Sequence, residues 1–106
     1  MWSYGASKSS VIATLSFNIP LAQELDEDHV HFVGASNVEC PGSFSEPVAE
    51  PGNLCVYATS ATGEIGGVFN SGFNPGASKN GAMIVVAPTI AEPEVQGFGS
   101  WAVTAP

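Results

Sequence analysis

His29 and His31 are the only histidines in the chain, and their i,i+2 spacing would set both side chains on one face of a strand. Imidazole is a common ligand for zinc, copper or nickel, so the pair is a candidate metal site, to be completed by Asp26, Asp28 or a neighbouring subunit. Two ligands alone do not make a tetrahedral site, and the plainer reading is two polar side chains facing solvent or a hydrogen-bonded interface. Histidine changes charge near physiological pH, which would make such an interface pH-dependent. The adjoining Asp26-Glu27-Asp28, with Glu24 nearby, could offer oxygens to calcium. It lacks the alternating acidic loop that supplies roughly six to eight calcium ligands, and reads as a solvated acidic turn.

No nucleophile stands in a recognisable setting. Ser71 lies in Asn70-Ser71-Gly72-Phe73 and Ser100 between Gly99 and Trp101, so neither occupies a G-x-S-x-G elbow. No carboxylate pair has a separation that would divide acid and base roles. Cys40 or Cys55 could attack a substrate only as a free thiol. The chain therefore reads as non-enzymatic, with no catalytic residue and no cofactor. An even cysteine count in a small chain suits a Cys40–Cys55 disulfide and an oxidising compartment. Closing a loop of about 15 residues would stabilise by roughly 3 kcal/mol. Two unpaired buried thiols are the alternative, and a metal site is poorer because neither cysteine belongs to a C-x-x-C pair.

The elements that must position these residues are strands. Val11, Ala13, Leu15, Phe17 and Ile19 alternate with Ile12, Thr14, Ser16 and Asn18, the period of a half-buried strand, and Pro20 ends it. His29 to Val33 reads as a second strand, with Val30 and Phe32 on one face and the histidines on the other. A loop rich in Pro, Gly, Ser and Glu follows from Gly34 to Asn53, tied by the proposed bridge to a strand from Leu54 to Ala58. A weaker strand runs from Ile65 to Phe69. Asn80-Gly81 signals a tight type I′ turn and introduces Ala82 to Ala87, an apolar run that suits a strand buried on both faces. The last strand covers Ser100 to Thr104, after a turn-rich return over Ile90 to Gly97. No helix of ten residues is predicted. Short strands with Gly/Pro turns predict one all-β domain over residues 1–106, an antiparallel β-sandwich or jelly roll. Of Trp2, Tyr4, Phe44, Phe69, Phe73, Phe98 and Trp101, most should be core, while Phe69 and Phe73, in Gly/Asn-rich surroundings, could line a subunit interface or a sugar platform.

Composition narrows the partners. The 106 residues carry a formal charge of −8, with ten acidic residues against only Lys8 and Lys79. Such a chain cannot neutralise a row of phosphates, which argues against nucleic acid and anionic membrane surfaces. No apolar run approaches the roughly 20 residues that span a bilayer. Only 11% of residues are charged while 44% are hydrophobic, so a lone subunit would leave weakly polar surface for a partner to cover. The N-terminus has neither the basic region nor the apolar core of a signal peptide.

Four blocks in order are familiar together: Ser16-Phe17-Asn18-Ile19-Pro20-Leu21-Ala22, His29-Val30-His31-Phe32-Val33, Pro51-Gly52-Asn53-Leu54-Cys55-Val56-Tyr57 and Gly99-Ser100-Trp101-Ala102-Val103-Thr104-Ala105-Pro106. With the two cysteines, they resemble the globular C-terminal domains that follow Gly-X-Y collagen-like repeats in bacterial proteins, many from actinobacteria. The resemblance runs from about Trp2 to the last residue. Such domains usually continue upstream, where this chain has Met1, so the resemblance implies an N-terminally truncated fragment of a longer chain. It further implies a secreted or surface-exposed protein whose rod is a triple helix, for which a compact trimerising domain sets the register of three chains. The expectation is a homotrimeric, extracellular, non-enzymatic head on a collagen-like or fibrous stalk. The alternative is a carbohydrate- or receptor-binding module of a surface or phage fibre, with a glycan or cell-surface receptor as partner.

Overall fold

The structure, a computed structural model, describes residues 2–7, 11–33, 37–61, 64–90 and 95–105. Lys8 and residues 91–94 of the return lie outside these, as do the side chains of Trp2, Tyr4 and Phe98. The chain runs through β1 (Trp2–Ser7), β2 (Val11–Ser16), β3 (Leu25–Asp26), a 3-10 turn (Glu27–His29), β4 (Val30–Val33), β5 (Asn53–Ala61), β6 (Glu64–Phe69), β7 (Gly76–Ala77), β8 (Gly81–Ala87) and β9 (Val95–Thr104). Among the described residues there is no α-helix, and no helix long and apolar enough to cross a membrane.

Two sheets form a sandwich, one in the order β1-β9-β5-β4 and the other β2-β8-β6, with the small pair β3-β7 beside them. Sequence neighbours β1 and β2 pair with β9 and β8 respectively, and β5 and β6 pair with the same two strands from the other side. Each of these two-strand units thus crosses from one sheet to the other, the connectivity of a jelly roll. The sandwich is all-β, as the strand pattern predicts. One pairing departs from the antiparallel expectation: β4 lies parallel to β5, with His31 opposite Cys55 and Phe32 opposite Val56. Parallel neighbours need a crossover of about a dozen residues or more, and the long Pro/Gly-rich connection after β4 supplies it without a helix.

Alternation builds the main core. Ala13 and Leu15 of β2 point inward while Ile12 and Thr14 point out, and Leu54, Val56, Val68, Ile84 and Val86 complete the buried layer. Phe17 remains buried, but the ladder stops at Ser16 because the Phe17 N–H turns to the Asn80 carbonyl at 2.8 Å. Ile19, grouped with this strand by its period, is 81% exposed. At the β8 entry the turn forms between Ser78 and Gly81, whose N–H and C=O groups bond to each other in both directions. Only Gly81 has positive φ there, at 156°, so the turn is not the type I′ form that needs it at both central positions. A Cβ on Gly81 would lie 2.0 Å from the Leu15 carbonyl oxygen, which is why glycine is required where β8 meets β2.

A second core lies on the outer face of the four-stranded sheet. Val33, Cys55 and Tyr57 point away from the sandwich and are buried beneath the 37–52 segment, with Cys40 and Ala49. The Cys40–Cys55 disulfide, with Cα atoms 5.7 Å apart, joins cover to sheet. The Tyr57 hydroxyl donates to the Val48 carbonyl and accepts the Gly42 N–H at 3.2 Å. Ser100 Oγ donates to the Phe44 carbonyl and Thr104 Oγ1 to the Ala49 carbonyl, both at 2.7 Å. Side chains of β5 and β9 thereby satisfy carbonyls that a connection without secondary structure would otherwise leave bare.

Candidate functional site

The two histidines do not share a site. Asp26 acts as N-cap of the 3-10 turn, its Oδ1 accepting the Asp28 N–H at 3.1 Å, so the strand begins only at Val30. His29 therefore sits on the turn, where its Nδ1 donates to Asp26 Oδ1 at 2.6 Å. That hydrogen bond is the main reason the Asp26 carboxyl lies below its ordinary range. His31 lies on β4, and its Nε2–H donates to Asn53 Oδ1 at 2.9 Å. Asn53 is buried, and its amide donates to the Glu50 and Pro51 carbonyls at 3.4 and 3.2 Å. His31 thus clasps the end of the crossover, while His29 closes an exposed acidic turn. Among the described residues no group of three or more His, Cys, Asp or Glu side chains is placed to hold a metal ion.

Phe69 and Phe73 do come together, with ring centroids 6.4 Å apart. Phe73 has φ 60°, a left-handed conformation uncommon for a bulky residue, and is 61% exposed. The turn that holds it is cross-braced: Asn70 Oδ1 accepts the Gly72 and Asn74 N–H groups at 2.8 and 3.1 Å, and the Phe73 N–H donates to the Asn70 carbonyl at 3.0 Å.

These rings border the outer face of the three-stranded sheet, which sequence reasoning did not single out. Ile12, half exposed at 50%, stands opposite Val85; Thr14 stands opposite Met83, and Phe69 lies on Met83's other side. Met83, Val85 and Ala87 are half-buried, although the unbroken apolar run Ala82 to Ala87 suits burial on both faces. The inner face of β8 meets the core, whereas among the described residues nothing like the 37–52 segment covers the outer one. No described side chain on this face is charged; the acidic position in register with it, Glu64, stands at its end opposite Ala87. The signal that could have found this face was Ile12, an apolar residue at the outward position of an otherwise alternating strand.

The face can bury apolar area against a complementary surface. Comparison with family models, with curated proteins and with solved structures finds no match to this chain.

Proposed function

We propose that this chain is a non-enzymatic extracellular assembly domain, a homotrimer formed through the outer face of β2-β8-β6, at the head of a collagen-like or fibrous stalk. The observation that carries the reading is the apolar face formed by Ile12, Met83, Val85 and Phe69, which no segment covers among the described residues, in a chain of which 11% is charged. Contiguous apolar surface rimmed by polar residues is the usual mark of a protein–protein contact. Among the described residues the opposite sheet is covered at Val33, Cys55 and Tyr57 by its own chain, which leaves this face for another copy. The disulfide supports an oxidising location, and the resemblance to domains that follow collagen-like repeats supports both the stalk and the number three.

Ile12→Lys and Val85→Lys test this. Each places a charge on the proposed contact while leaving the inward residues Ala13 and Ile84 in place. The expected result is a fall in light-scattering mass from three chains to one, with the far-UV circular dichroism of the native chain retained. An unchanged oligomer in both variants would remove this face from the interface.

A further inference from the structure

We infer that the cleft over Trp101 is a binding site for a neutral saccharide, with a pyranose ring stacked on the indole. The cleft is an open depression of about 360 Å³ between β9 and the segment that follows β2, and Phe17, Asn18, Ile19, Trp101 and Val103 line it. Ligand clefts have volumes of roughly 300–1,000 Å³, mostly apolar with a few placed polar groups, and this one has that character.

A pyranose has an apolar C–H face and a rim of hydroxyls, so its site needs a flat apolar platform beside uncommitted hydrogen-bonding groups. Trp101, half-buried and packed against the main core, is the platform. It sits in the β5–β9 ladder opposite Val56, and Phe17 braces it, the ring centroids 5.4 Å apart and the planes at 48°. A strand fixed on one side and a buried ring on the other hold the indole without help from a ligand, which lowers the entropy cost of binding. The polar groups are also present. Among the described residues the Trp101 indole N–H and the Asn18 amide make no hydrogen bond within the chain, and neither is sealed from solvent. Both residues line the cleft, so its inventory of side-chain groups includes N–H donors and one carbonyl acceptor beside apolar surface.

Charge selects the class of sugar. Among the described residues no charged side chain lines the cleft, and the chain carries −8, so an anionic saccharide would meet repulsion. The site is built within one chain and does not depend on the subunit count.

The test is a titration of the 15N-labelled chain with methyl glucopyranoside, methyl galactopyranoside, N-acetylglucosamine and its dimer, and with N-acetylneuraminate as the anionic counterpart. The readout is the indole N–H resonance of Trp101, separated from that of Trp2 by a Trp2→Phe variant. For ligands of this size dissociation constants of roughly millimolar order are expected. The inference predicts saturable movement of that resonance with at least one neutral probe, none with N-acetylneuraminate, and at least about fivefold weaker binding in Asn18→Ala with the remaining spectrum intact. No saturable movement with any neutral probe at about 50 mM, equal binding of the anionic sugar, or undiminished binding in Asn18→Ala would overturn it.

Discussion

Asp26 accepts from two donors at once, the backbone N–H of Asp28 and the ring of His29. Both bonds favour the ionised carboxylate, and the folded-state pKa is lowered, chiefly by the His29 bond. A group shifted in this direction stabilises the fold above its unfolded pKa, and that contribution is lost as pH falls through the folded value. Asp26→Asn should therefore lose less stability than the native chain when urea unfolding is compared at pH 6 and pH 3. Equal losses in the two proteins would show that the turn contributes nothing to acid sensitivity. At this scale the chemistry of the sequence was only partly legible. The cysteine pairing could be read from count and context. The histidine arrangement could not, because i,i+2 logic holds only where a strand already runs. Here the Asp26 side chain captures the local backbone into a 3-10 turn and moves the strand start past His29.

The 37–52 segment behaves as an element in its own right, since it is crossover, cover for the outer sheet face and one half of the disulfide. Replacing both Cys40 and Cys55 by Ala should cost about 3 kcal/mol in urea unfolding, the magnitude expected for a loop of about that length. A loss below about 1 kcal/mol would mean that the Tyr57, Ser100 and Thr104 hydroxyl bonds hold the cover without the bridge. Gly81→Ala should destabilise by more than about 1 kcal/mol, because the new Cβ would meet the Leu15 carbonyl and the positive φ is unfavourable for alanine. A loss within about 0.5 kcal/mol would show that the β2–β8 entry can shift. Alternation made β2 legible, and β-forming residues did the same for β5 and β8. The 2–7 strand and the first half of β9 were not, because Gly5, Gly97 and Gly99 carry no side chain to alternate and only pairing in the sheet makes those residues strands. The two-residue pair β3-β7 is likewise a product of tertiary contact, and parallel pairing of β4 with β5 has no local signature.

At the scale of the whole molecule, the 37–52 segment covers the outer face of one sheet, whereas among the described residues no such segment covers the other, where Ile12 is half exposed. A formal charge of −8 on each copy opposes association, so apolar contact across Ile12, Met83 and Val85 must outweigh repulsion among the chains. Added salt screens that repulsion between charges more than about 10 Å apart at 0.1 M, so assembly should tighten with ionic strength. The most direct measurement is the solution mass of the native chain by light scattering, as a function of concentration at low and high salt. Three times the mass of one chain is expected, persisting to lower protein concentration as salt rises; a single-chain mass at every concentration and salt would rule out assembly through this face.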